Sequence, residues 1–225
     1  MFEFGWDNKH AGLNVFLAKA FLLENVSDLK DYKGYADKFI YSLMPESPYS
    51  QNPYKPGGGN MQHVTDLSFL LLAYANYLDH TSQVVSCGTI PITPASLIAA
   101  AKPQVDYILG DNPLNLSYMV GYGSRFPEHI HHRGSSLPSI TKYHDHITCH
   151  GGSLFFANKN PNPNLLVGAL VGGPDKNDQY QDSRADSTES EPTTYINALL
   201  VGLLAFFQWP SRILTSTVTQ RKNYR

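Results

Sequence analysis

The 225 residues predict an all-α protein that carries its chemistry on long loops. Apolar residues recur at helical spacing in five separate segments, and the connections between them are rich in proline and glycine. Strand signals are confined to short alternations near Ser117–Val120 and the run Leu165–Val171. Those suffice for a hairpin or two and not for a sheet-based core.

Ala11, Val15, Ala18 and Leu22 follow helical spacing and predict a helix over about Lys9–Glu24. Tyr35, Phe39, Ile40 and Leu43 predict a second, ended by Pro45. Ser47–Gly59 (SPYSQNPYKPGGG) has too many breakers for regular structure and reads as loop. Leu67, Leu70, Leu71, Tyr74 and Leu78 mark a third helix, with Asp66 in its first turns, where the helix dipole favours an anion. Thr93 and Pro94 suit an N-cap and a first helical position, and the fourth helix runs through Leu97, Ala101, Val105 and Ile108 to a stop at Gly110. Pro103 lies inside it and should bend or break it, at a cost of about 3 kcal/mol. The fifth starts near Pro192 and presents Tyr195, Leu199, Leu203 and Phe206 on one face.

An apolar content of 42% in this length supports one domain with a substantial core. A net charge of −2 gives no electrostatic basis for binding nucleic acid or an anionic membrane surface. No apolar run approaches the roughly 20 residues that span a bilayer. The segment MFEFGWDNKH lacks the charged-then-apolar order of a secretory signal, so no signal peptide is read here. The sequons at Asn25 and Asn115 matter only in a secreted product. Cys87 and Cys149 could pair in an oxidising compartment, and their spacing matches no zinc pattern.

Two segments concentrate chemistry-bearing side chains. Ser117–Arg133 reads SYMVGYGSRFPEHIHHR, and Tyr180–Ala198 reads YQDSRADSTESEPTTYINA. In an extended segment His131 and Arg133 point to one face, where they can donate hydrogen bonds to hydroxyls. The pairs His129-x-His131 and His144-x-His146 offer zinc as a rival reading, with no HExxH and no water-activating glutamate at a recognised spacing. The plain alternative for His132, His144 and His146 is a surface position. In the second segment the carboxylates could form a solvated acidic loop. A calcium loop fails because Arg184 and Ser187 occupy the third and sixth positions of its template. Gly110-Asp-Asn-Pro113 and Gly121-x-Gly123 read as turns. Tyr118 and Tyr122 suit stacking on a sugar ring and suit core packing equally.

Both segments closely resemble the paired active-site signatures of family-9 glycoside hydrolases, the plant-type endo-β-1,4-glucanases. The likeness continues through WDNK at Trp6–Lys9, GYADKFI at Gly34–Ile40, NMQHVT at Asn60–Thr65 and VDYILGDNP at Val105–Pro113. HHRGSSLPS at His131–Ser139, PNPNLLVGALVGGP at Pro161–Pro174 and EPTTYINA at Glu191–Ala198 complete it. The resemblance implies a toroid of six inner and six outer helices, (α/α)6, with the active site on one rim. About five helices fit a partial (α/α)6 toroid, so residues 1–225 are expected to be the C-terminal portion of a family-9 catalytic domain.

The resemblance further implies hydrolysis of internal β-1,4-glucosidic bonds of cellulose with inversion, in which two carboxyl groups stand about 6.5–9.5 Å apart to admit a water. Glu191 matches the proton donor, and Asp182 and His131 match catalytic-site positions. Arg133, Tyr118 and Tyr122 would bind substrate. A donor carboxyl needs burial or neighbouring negative charge, which Asp182, Asp186 and Glu189 could supply. The implied partner is a β-1,4-glucan chain, the implied location the cell wall or extracellular space, and no cofactor or metal is implied.

Departures from the family pattern are Ser187 where an aromatic is expected, a shortened Asn52–Gly59 loop, Pro103, and a histidine-rich Tyr143–Gly152. The family's water-activating aspartates lie in an early D-x-x-D segment, and nothing in Met1–Glu24 resembles it. The isolated chain is therefore expected to be weak or inactive, with the apolar faces of a half-toroid exposed. The alternative is a noncatalytic glucan-binding or vestigial protein.

Overall fold

A computed structural model of the chain describes residues 4–45, 47, 59–87 and 90–208. The expected loop over Ser47–Gly59, with its shortening, falls almost wholly outside the described residues. Among those residues the regular structure is helical: α1 (His10–Glu24), α2 (Lys30–Ser42), α3 (Met61–His80), α4 (Pro94–Leu109), α5 (Arg133–Ser136), α6 (Gly152–Phe156), α7 (Ser187–Ser190) and α8 (Thr194–Gln208). No strand occurs among them. Two isolated antiparallel bridges, Val85 with Ile92 and Met119 with Leu170, are what the strand-like alternations become. The fold is all-α.

Two compact units divide the chain. One takes its described residues from within Met1–Pro53, His63–Val105 and Leu199–Arg225, the other from within Tyr54–Gln62 and Asp106–Ala198. In the first unit α1 packs on α2, burying Ala11, Val15, Ala18 and Leu22 at the spacing the sequence showed. Asn25, at φ 58°, ends α1 in the left-handed conformation and sends its N–H back to Ala20. On the other side of α1, Leu13 and Phe16 remain 48% and 61% exposed, so this helix is apolar all round.

A buried carboxylate fastens α2 in place. Asp37 accepts from Tyr74 Oη at 2.6 Å, Lys33 Nζ at 2.7 Å and the Ser86 N–H at 3.1 Å, which joins α2 to α3 and to the turn after α3. Three donors on one buried carboxylate meet the requirement that a buried charge be paired and hydrogen-bonded.

Three sequence expectations change. Asp66 lies beyond the first turn of α3, and burial rather than the helix dipole governs it, raising its carboxyl to about 6 against the pull of Lys9. α4 is continuous through Pro103: burial of Leu97, Ile98, Ala101, Val105 and Ile108 offsets the missing bond to the Ala99 carbonyl. The N-cap stands as expected, the Ser96 N–H donating to Thr93 Oγ1 at 3.2 Å. In α8 the buried side chains are Ile196, Leu200 and Leu203, while Tyr195 is exposed. The helix is apolar at both sets of positions, so packing and not periodicity selects its inward face. Three single-turn helices, α5 to α7, were not foreseen, because four or five residues hold no readable period.

Candidate active site

Every expected site residue lies in the second unit, whose loops are tied together mainly by side-chain bonds to backbone. Gly110, at φ 120°, ends α4 in a conformation open to glycine. Asn112 closes the following turn, its Nδ2 donating to the carbonyls of Tyr107 and Leu116 and its Oδ1 accepting from the N–H groups of Leu114 and Leu116. The chain then runs antiparallel to residues 168–171: Val120 donates to Ala169, Val171 to Tyr118 and Gly168 to Val120. Asn197, in the first turn of α8, clamps that second segment by accepting from the Leu170 N–H and donating to the Gly168 carbonyl.

The two signature segments meet directly. The His131 N–H donates to the Ser190 carbonyl at 3.0 Å, one residue before Glu191. His131 Nδ1 lies 2.5 Å from the Arg184 carbonyl, and its ring stands edge-on to Phe156 of α6 at 5.5 Å. Asp182 faces the histidine segment as well. Its carboxylate accepts from the N–H groups of Glu128 and His129 and lies against His129 Nδ1, all at 2.9 Å.

Asp186 caps α7 through the Glu189 N–H. Glu189 does not reach back to the cap residue. Its Oε2 accepts from the Gln181 N–H at 2.8 Å instead, closing the loop on itself. Burial raises the Glu189 carboxyl, with the Asp186 and Asp175 charges adding to the effect against that backbone bond. Glu191 follows α7 in extended backbone, with its side chain exposed. Arg133, the first residue of α5, is exposed too, and His132 caps that helix by accepting from the Ser135 N–H. His132 thus has a structural task beyond a bare surface position. Ser187 is exposed at the start of α7.

Tyr118 is a correction. The expected sugar-stacking ring is completely buried, stacked on Tyr107 at 5.9 Å and edge-on to Tyr180 at 5.5 Å, and burial pushes its hydroxyl up to about 12. Flanking glycines leave Tyr122 at the tip of the turn, 45% exposed. The zinc reading loses its first pair, since both ring nitrogens of His129 are engaged, one at Asp182 and the other 3.0 Å from the Lys159 carbonyl. Among the described residues no three His, Cys, Asp or Glu side chains group to hold a metal ion. His144, His146 and His150 are exposed, and both cysteines are free thiols.

Two participants, His129 and Arg184, carry no motif of their own. By sequence His129 reads as a metal ligand, although its spacing from His131 puts it on the same segment. Arg184 reads by sequence as a break in a calcium template. Its guanidinium is buried and donates to Asn162 Oδ1 and to the carbonyls of Asn158 and Asn160. Asn162 in turn donates to the Ile130 carbonyl and to Ser135 Oγ, so one arginine pins three loops. Desolvation pulls the guanidinium below its usual value, and the Asp182 charge counters it. No motif announces such a pin, because its partners are mostly carbonyl oxygens.

The second unit thus brings an H-x-R segment against a carboxylate-rich loop. The profile described as Glycosyl hydrolase family 9 matches residues 1–204, and the chain belongs to that family. It is 56% identical over 211 residues to Endoglucanase 23 of Oryza sativa subsp. japonica, an alignment covering 91% of this chain and 41% of the relative. An endoglucanase structure from the termite Nasutitermes takasagoensis superposes with a TM-score of 0.65 at 30% identity, over 90% of this chain and 42% of that one. Endoglucanase CelQ from Clostridium thermocellum, solved with cellotriose, gives 0.63 at 27% identity, over 90% and 30%. The chain therefore spans under half the length of these relatives, and its helices correspond to part of an (α/α)6 barrel.

Proposed function

We propose that this chain is the C-terminal portion of an endoglucanase that hydrolyses internal β-1,4-glucosidic bonds of cellulose with inversion, working outside the cell or in the cell wall. The observation that carries the reading is the His131-to-Ser190 backbone bond, which sets the H-x-R segment beside the residue before Glu191. The endoglucanases among its relatives, and the cellotriose held by CelQ, support the substrate class.

In this reading Glu191 protonates the departing glycosidic oxygen, and a water attacks the anomeric carbon from the opposite face. The exposed side chain of Glu191 suits a donor that must reach a bound polymer. His131 and Arg133 donate to sugar hydroxyls beside it. Asp182, taken up by two backbone N–H groups and His129, orders the loop and does not activate water. Tyr122 offers a ring to a glucose face. The water-activating carboxylate has no counterpart in Met1–Glu24, so the 225 residues by themselves turn over weakly or not at all.

The test measures reducing ends released from a soluble cellulose derivative by the isolated chain and by a longer enzyme containing it. Turnover by the longer enzyme and little by the chain is the expected pattern. Robust turnover by the chain alone would overturn the missing-base argument. Cello-oligosaccharide binding by the longer enzyme without hydrolysis, unchanged by Glu191→Gln, would establish the noncatalytic alternative.

A further inference from the structure

Both ring nitrogens of His129 face acceptors. Nε2 lies 3.0 Å from the Lys159 carbonyl oxygen, which can only accept, so Nε2 carries a proton. Nδ1 lies 2.9 Å from Asp182 Oδ2. That carboxylate also takes the Glu128 N–H on Oδ2 and the His129 N–H on Oδ1. Backbone amides donating to a carboxylate favour its ionised form, and an ionised carboxylate has no proton to give. Nδ1 must then donate as well, and an imidazole with two N–H groups is the imidazolium.

We propose that His129 is a positioning residue of this site, held as a doubly protonated cation that fixes the Asp182 carboxylate and joins the loops at 126–131, 158–162 and 180–186. The bond is charge-assisted, a side-chain link between the histidine and carboxylate segments. If His129 loses one proton, one nitrogen becomes an acceptor facing an acceptor, and either Asp182 or Lys159 loses its partner. The two amide bonds to Asp182 remain, so the carboxylate is loosened and not released. The charged groups around the pair are Asp182 itself, Arg184, whose charge acts on Asp182, and Glu128 and Lys159 beside the contacts in sequence. His131, two residues on, has its Nδ1 occupied at the Arg184 carbonyl.

The proposal rests on the endoglucanase reading only for its consequence in catalysis, since the protonation state follows from the contacts. The test is long-range proton–nitrogen NMR on the full 225-residue chain labelled at histidine nitrogens, with His129 assigned by its loss in His129→Gln. In the folded chain both His129 ring nitrogens are expected to carry protons. On raising the pH, one proton leaves, and the Glu128 and His129 backbone amide signals move with the same midpoint. His129→Arg, which keeps a cation and several donors, should hold the Glu128 amide near its wild-type position and flatten its pH dependence. His129→Gln should shift that signal at every pH. A singly protonated ring with both amides in place, or Gln and Arg variants that behave alike, overturns the proposal. Titration with cellotriose on the same samples reads the other claim separately. If no signal near Arg133 or Glu191 moves while the imidazolium persists, the sugar-binding reading fails and the protonation assignment stands.

Discussion

The backbone N–H of His131 donates to the carbonyl of Ser190 at 3.0 Å, across 59 residues of sequence. That bond converts two separated motifs into one local structure. Glu191 leaves α7 in extended backbone, and His132 is extended as well, so the two segments run beside each other at the contact.

Glu191→Gln removes the transferable proton and little else. In a longer enzyme carrying this segment, kcat should fall by about 10²–10⁴, the usual contribution of a positioned acid. Because the side chain is exposed, unfolding free energy should change by less than about 0.5 kcal/mol. Parallel reducing-end kinetics and urea titration check both halves. A stability loss matching the activity loss would assign Glu191 a structural role.

Tyr118 and Tyr122 should separate cleanly. Tyr118→Ala empties a fully buried aromatic site and should cost about 3–5 kcal/mol of stability. Tyr122→Ala should leave stability nearly unchanged and weaken cello-oligosaccharide binding about three- to tenfold, the scale of one lost ring contact. Calorimetric binding and thermal melts on both variants decide the matter.

Asp66 imposes a pH dependence on the first unit. Burial raises its carboxyl from 3.8 to about 6, so the folded chain holds that proton more tightly than the unfolded chain. Its contribution is most favourable below about pH 4 and is lost as the pH rises through 6. Above pH 6 the ionised, buried form costs up to about 3 kcal/mol, from 1.36 kcal/mol per pKa unit. Asp66→Asn should therefore be more stable than the parent at pH 7, with an advantage that shrinks toward pH 4. Urea midpoints at the two pH values measure it, and an equal difference at both would refute the burial argument.

Gly172→Ala should disturb the carboxylate loop. A Cβ at that position would lie 2.0 Å from the Thr188 carbonyl oxygen and 3.1 Å from that of Glu189, both backbone atoms that cannot swing aside. A destabilisation of about 3 kcal/mol, at the upper end of overpacking effects, is expected. Amide signals of α7 should shift in the same spectrum. An unperturbed α7 would show that the loop yields more easily than its contacts imply.

The long helices were legible because each repeats its apolar residues over several turns. α1 buries the residues its spacing named, α2 buries Phe39 and Ile40 but leaves Tyr35 exposed and Leu43 half-buried at its end, and Thr93 caps α4 as its side-chain chemistry requires. The short helices were not legible, since α5 to α7 depend on caps from His132 and Asp186 and on loops elsewhere in the chain. In the second unit the H-x-R motif and the Glu191 segment were legible as motifs. His129 and Arg184 were not assigned structural tasks, because their partners are backbone oxygens and a carboxylate some 50 residues away.

Sequence alone determined the helical class, the family, and the two segments rich in histidine, arginine and carboxylate side chains, because periodicity and motif spacing are local properties of the chain. Tertiary structure alone decided which face of α8 turns inward, that Tyr118 is buried while Tyr122 is exposed, and that His129 meets Asp182. Those outcomes depend on which distant atoms arrive at van der Waals or hydrogen-bonding distance. Several apolar faces or donors along the chain qualify equally until packing excludes all but one.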